Sequence, residues 1–155
     1  MVASLFLANC GTADESAEEQ KTTEWSVVVH GGASNTKNRP SDERIARYEK
    51  HLLEAIDIGA EILANGGTAL DAVQAVTIYM EDCPIFNAGR GAVMTLEGTH
   101  ELDASIMDGS NLKAGAVAGL KTIKNPIKAA RLVMDSTTHL FLIGEGATFF
   151  SEEMG

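Results

Sequence analysis

A proline and two glycines within the run Cys83-Pro-Ile-Phe-Asn-Ala-Gly-Arg-Gly91 limit the backbone more tightly than any other stretch of this chain. Pro84 fixes φ and removes a hydrogen-bond donor, so the apolar helical pattern before it ends there. Gly89 and Gly91 flank Arg90 and reach conformations closed to other residues, which predicts a tightly folded loop. Asn87 lies inside that frame, and its short amide offers both a donor and an acceptor. Held on a rigid loop, such a group can orient another one. The plainer reading is a turn residue that hydrogen-bonds its own loop. Beyond the loop, Ala92–Thr95 and Leu102–Met107 read as short strands, the second closed by a hairpin turn at Asp108-Gly109.

The rest of the chain alternates strand and helix signals. Trp25-Ser-Val-Val-Val-His30 is rich in β-branched residues and ends at Gly31-Gly32, which predicts a buried strand delivering a flexible turn. Asn35 to Ser41 is polar and reads as a loop. A helix starts at Asp42 with Ser41 or Asp42 as N-cap, its apolar positions running from Ile45 through Tyr48, Leu52, Ala55, Ile56 and Gly59 to Ile62 and Leu63. Asn65-Gly66-Gly67 stops it. Thr68 then caps a second helix, with Asp71 three residues on as in a capping box and Leu70, Val73, Val76, Thr77 and Met80 on its buried side. Two helices joined by a glycine turn predict a hairpin able to cover a sheet face. Leu112–Ala118 is a further strand candidate, its small residues implying close approach of another layer. Pro126 suits a first helical turn capped by Asn125, running to about Asp135. Leu140–Ile143 reads as a buried strand, followed by a helix from about Ala147. Blocks of helices and strands in this order define an α+β fold with helices outside a layered sheet.

At 155 residues the default is one folded domain, residues 25–155. The net charge of -10 argues against nucleic acid or an anionic membrane as partner. Before Trp25, Asp14, Glu15, Glu18, Glu19 and Glu24 face Lys21 alone, so residues 1–24 read as an acidic, disordered tether. Leu5-Phe-Leu-Ala-Asn-Cys10 resembles the end of a bacterial lipoprotein signal with Cys10 as lipid acceptor, which places the protein in the cell envelope or periplasm. Met1 to Ser4 carry no positive charge and the apolar run is short, so a cytoplasmic location is the alternative. Cys10 and Cys83 form no disulfide framework, and Cys83 reads as a small buried hydrophobe. His30, His51, His100 and His139 are too widely spaced for a zinc site. Gly144-x-Gly146 lacks the third glycine of a dinucleotide loop.

Cys83-Pro-Ile-Phe-Asn-Ala-Gly-Arg-Gly-Ala-Val, followed by Thr99-His-Glu-Leu-Asp-Ala-Ser-Ile-Met-Asp-Gly109, resembles the plant-type L-asparaginase / isoaspartyl (β-aspartyl) peptidase family. Val29-His-Gly-Gly-Ala, Leu112-Lys-Ala-Gly-Ala-Val-Ala-Gly and Ile143-Gly-Glu-Gly-Ala extend the likeness from about Trp25 to Gly155. The resemblance implies the four-layer αββα sandwich of N-terminal-nucleophile hydrolases. It implies hydrolysis of L-asparagine and β-aspartyl dipeptides by a threonine exposed when the precursor cuts itself. The new α-amine then serves as base. Asn87 is implied to orient that threonine or its amine. His30, Gly31 and Gly32 are implied to lie near the self-processed bond, although a hydrogen-bonded strand end explains His30 equally well. The same resemblance implies no organic cofactor but a structural sodium ion, held by the main-chain carbonyls of Met80, Glu81, Cys83, Phe86, Ala88 and Arg90. Oxygen donors suit such a hard cation.

None of the threonines is preceded by glycine and followed by Val-Gly, the family's nucleophile pattern. Thr68 and Thr99 follow glycines, but the first reads as a helix cap and the second as a hairpin residue. The chain therefore resembles most of an α subunit, cut short, with the nucleophile downstream on a β subunit. Inactivity of the chain alone and an (αβ)2 assembly of the complete protein are the expectations. The alternatives are a glycosylasparaginase, acting on sugar-linked asparagine, and a truncated non-catalytic envelope protein that merely binds.

Overall fold

The computed structural model describes residues 25–32 and 40–155; the tether and Cys10 lie outside the described residues. Helix α1 runs Asp42–Ala64 and helix α2 Ala69–Asp82. A single 3-10 turn, Gly89–Gly91, precedes strands β1 (Leu102–Met107) and β2 (Ala114–Leu120). Helix α3 (Pro126–Ser136), strand β3 (Phe141–Ile143) and helix α4 (Gly144–Met154) complete the order.

Local chemistry sets the first two helices. The Ser41 hydroxyl accepts the Arg44 N–H at 3.3 Å, and α1 stops where Asn65 Nδ2 donates to the Glu61 carbonyl at 2.8 Å. Half of the capping box at α2 forms: the Asp71 N–H donates to Thr68 Oγ1 at 3.1 Å, while the Asp71 carboxylate accepts from the Thr68 hydroxyl at 2.7 Å rather than from its backbone N–H. The Thr68 hydroxyl is the main reason the Asp71 carboxyl titrates below its ordinary value. Ala55 and Gly59 of α1 are buried, as are Ala72 and Val76 of α2. Val73, expected inside, is half exposed. A polar cluster ties the two helices together: Tyr79 donates to the Glu54 carboxylate, and His51 Nδ1 lies 2.6 Å from the Tyr79 hydroxyl. Burial and the Glu54 carboxylate push the Tyr79 phenol well up, so it stays a donor at every working pH.

β1 and β2 pair antiparallel and β3 joins β2 in parallel, giving a three-stranded sheet in the order β1-β2-β3. The register separates its faces, because partners opposite one another share a side. Ala104, Val117 and Leu142 stand together on one face, and Ser105, Ala116 and Phe141 on the other. The first face meets α3, which lies across β1 and β2, while α4 packs on β2 and β3. Ile106, Val117, Leu120, Ile127, Ala130, Val133 and Ala147 fill the core between them. A Cβ on Gly115 would stand 2.2 Å from the Ala130 carbonyl oxygen, which is why glycine occupies the crossing of α3 over β2. The second face carries the exposed Met107, Phe141 and Ile143.

Several expectations need correction. Trp25–His30 belongs to no strand; Ser26 to His30 lie against α1 and α2, lining a cleft with Leu63, Ala72 and Val76. Ala92–Thr95 forms no strand either, since the Thr95 N–H closes a turn onto the Thr99 carbonyl at 2.7 Å. A β-branched segment becomes a strand only where a partner offers its ladder. The β1–β2 connection is longer than a two-residue turn. Asp108 and Lys113 close it, and Leu112 adopts φ 62°, so β2 starts at Ala114. β3 is an exposed edge rather than a buried strand, and α4 starts directly after it at Gly144. The α1–α2 hairpin sits beside the sheet, and α3 covers the face it was expected to cover. The α+β character holds, as helices with a small mixed sheet.

Candidate active-site loop

The loop after α2 is pinned from both sides. A Cβ on Gly91 would fall 2.1 Å from the Phe86 carbonyl oxygen, and one on Gly89, at φ 46°, would fall 2.5 Å from that of Glu81. Only glycine lets the backbone pass this close. Phe86 is buried and meets Tyr48 edge to face, their ring centres 5.8 Å apart. The Tyr48 hydroxyl donates to the Ile85 carbonyl at 2.7 Å, fastening the loop to α1.

On this base Asn87 is exposed, and its Oδ1 accepts the Val93 N–H at 2.9 Å. That bond satisfies the plainer reading, a residue capping its own loop. It also fixes the amide plane and leaves Nδ2 as a donor without a partner among the described residues. Asn87 lines a cleft of about 220 Å³ with Glu81, Val93, Glu101, Leu102 and Asp103. Glu101 is paired with Lys121 at 3.2 Å, and Asp103 accepts the Gly119 N–H at 2.8 Å.

The histidine-glycine turn comes to the same place. A Cβ on Gly31 would touch the Phe86 ring at 3.1 Å, so the turn and the Asn87 loop share a wall. Gly32, at φ 96°, donates its N–H to His30 Nδ1 at 3.2 Å, which makes His30 an exposed turn residue. His100 Nδ1 lies 3.3 Å from the carbonyl of Val93, the residue bonded to Asn87, and His51 belongs to the α1–α2 cluster; no metal-binding cluster of His, Cys, Asp and Glu occurs among the described residues. Cys83 is buried and free.

The carbonyls proposed for sodium are a separate matter, since their donors are main-chain oxygens. Those of Met80, Cys83 and Ala88 each accept one backbone N–H, from Cys83 at 3.3 Å, Phe86 at 3.4 Å and Gly91 at 2.9 Å. Each keeps a second lone pair. The carbonyls of Glu81 and Phe86 abut the two glycines. Neutral hard oxygens crowded into one tight loop fit a monovalent cation chemically. Arg90 enters only through its carbonyl, and its side chain is exposed.

Sequence reasoning missed Glu81 as a side chain. It is 3% exposed, and its Oε1 accepts the Ile127 N–H at 3.0 Å, capping α3 in place of Asn125. Asn125 instead donates its side-chain amide to Asp82 at 3.2 Å. Burial raises the Glu81 carboxyl above its ordinary value, partly offset by the Ile127 N–H. A Glu-Asp pair at a helix end looks solvated in sequence, so nothing there marks it.

A family model described as "Asparaginase" matches residues 23–155. The chain belongs to the asparaginase family. Its relatives in that family include an isoaspartyl peptidase of Salmonella typhimurium, 46% identical over 130 residues, 83% of this chain and 42% of the relative. A plant-type L-asparaginase of Pyrococcus horikoshii is 48% identical over 129 residues, 83% of this chain and 41% of its own length. The human isoaspartyl peptidase/L-asparaginase is 46% identical over 129 residues, with the same shares. The chain thus spans about two-fifths of the length of these asparaginase-family relatives.

Proposed function

We propose that this chain is the α-side part of a self-cleaving amidohydrolase that hydrolyses L-asparagine and β-aspartyl dipeptides. The observation that carries the reading is the Asn87 amide. It is fixed through Oδ1 on a glycine-pinned loop, presents Nδ2 as a donor, and follows Phe86, whose ring packs against Gly31 of the His30-Gly31-Gly32 turn. Such a donor suits the hydroxyl oxygen or neutral amine of a threonine brought by a following segment. That hydroxyl attacks the side-chain amide carbon while its proton passes to the threonine α-amine. The amine product leaves with a proton, and water then hydrolyses the acyl-enzyme. Relatives that are isoaspartyl peptidases and L-asparaginases favour this over glycosylasparaginase chemistry.

The sheet face bearing Met107, Phe141 and Ile143 supports a second sheet packing there, the four-layer αββα arrangement, with a β subunit as its source and an (αβ)2 assembly. By itself the chain is inactive in this scheme, because none of its threonines is followed by Val-Gly, and of those after a glycine Thr12 is followed by Ala-Asp, Thr68 is a helix cap and Thr99 is hydrogen-bonded to Thr95 in a turn. A sodium ion on the carbonyls of Met80, Glu81, Cys83, Phe86, Ala88 and Arg90 would stiffen the Asn87 loop; no organic cofactor enters the scheme. Lipidation at Cys10 would tether the enzyme in the envelope. To test the activity, the full-length protein is incubated with a β-aspartyl dipeptide and its intact mass recorded. Hydrolysis with two chains is the expected result, and hydrolysis by a single uncut chain would falsify the mechanism.

A further inference from the structure

Glu81 is a buried carboxyl with only one of its oxygens engaged. Oε1 accepts the Ile127 N–H at 3.0 Å, from a residue 46 positions away, and Oε2 has no partner among the described residues. Burying such a group is costly unless it is tied down. The next residue strengthens the tie: Asp82 receives Lys124 Nζ at 2.8 Å and Asn125 Nδ2 at 3.2 Å. The last turn of α2 therefore grips the first turn of α3. From the same residue, the main-chain carbonyl presses on Gly89, and Glu81 lines the cleft that Asn87 lines. One end of the Asn87 loop is thus set by Glu81, the other by the Val93–Asn87 bond.

We propose that Glu81 is a positioning residue for Asn87: its buried carboxyl anchors the end of α2 to the N-terminus of α3 and, through the contact of Glu81 with Gly89, sets where the Asn87 amide stands in its cleft. The inference rests on Asn87 serving a threonine hydroxyl. A carboxyl that merely held the fold together would loosen the whole molecule when removed. A positioning carboxyl loosens the loop first.

Glu81→Leu in the full-length protein keeps the bulk and removes the acceptor. The expected result is a kcat on a β-aspartyl dipeptide about 100-fold lower with KM within about threefold. The Val93 and Ile127 amides exchange about tenfold faster, while those of α1 keep their rates. Glu81→Gln, which retains an oxygen acceptor for Ile127, recovers most of the loss. Should Glu81→Leu not fold, Glu81→Asp, one methylene shorter, gives the same selective pattern. Even acceleration of exchange across α1, α2 and the sheet would overturn the proposal. So would wild-type kcat and Val93 exchange in Glu81→Leu beside an impaired Asn87→Ala. If Asn87→Ala itself matches wild type, the reading of Asn87 fails instead. Val93 exchange in Glu81→Leu then decides the anchor alone: faster supports it and unchanged refutes it.

Discussion

At the scale of single residues, Gly91 and Asp108 carry the sharpest consequences. Gly91→Ala drives a methyl into the Phe86 and Pro84 carbonyl oxygens, both backbone atoms that cannot swing aside. Overpacking of this kind costs about 1–3 kcal/mol. Chemical denaturation of Gly91→Ala should show that loss, and an unchanged midpoint would mean the loop is slacker than described. Asp108 accepts the Ser110 hydroxyl at 2.7 Å and N–H at 2.8 Å, which hold its carboxyl below its ordinary value. A depressed carboxyl contributes stability that is complete above its unfolded value, about 3.9, and lost as pH falls through the lower folded one. Melting temperatures from pH 6 to pH 2 should therefore fall less steeply in Asp108→Ala than in wild type, and parallel curves would contradict this.

At the scale of elements, the Tyr79–Glu54–His51 cluster adds polar ties to the apolar packing of α1 on α2. Tyr79→Phe removes the hydrogen bond to Glu54 and should lower the denaturation midpoint; an unchanged midpoint would show that apolar packing alone holds the hairpin. How much of these elements could be read in advance depends on how local their causes are. Ser41, Asn65 and the Thr68–Asp71 pair act within four residues, so both helices were legible to within a residue or so at their ends. Trp25–His30 and Ala92–Thr95 were not, because a strand needs a distant ladder partner and sequence does not show whether one arrives. The site divides the same way. Pro84, Gly89 and Gly91 announce the loop that holds Asn87, whereas Glu81 acts across 46 positions and looks like any exposed acid at a helix end.

At the scale of the whole molecule, one sheet face is covered by α3 and α4, and the other presents Met107, Phe141 and Ile143 at 55–63% exposure. Exposed apolar side chains gathered on one sheet face favour association. The 155-residue chain expressed by itself should be poorly soluble and bind a hydrophobic dye; a sharp, cooperative melt of a monomer would count against that. The proposed mechanism needs a fixed carboxamide to meet a hydroxyl from another segment. Its most direct test is steady-state hydrolysis of a β-aspartyl dipeptide by the full-length protein and its Asn87→Ala variant. The account predicts a kcat lower by about 100-fold or more with KM little changed, as for loss of an oriented transition-state contact. Equal kcat in the two proteins would contradict it.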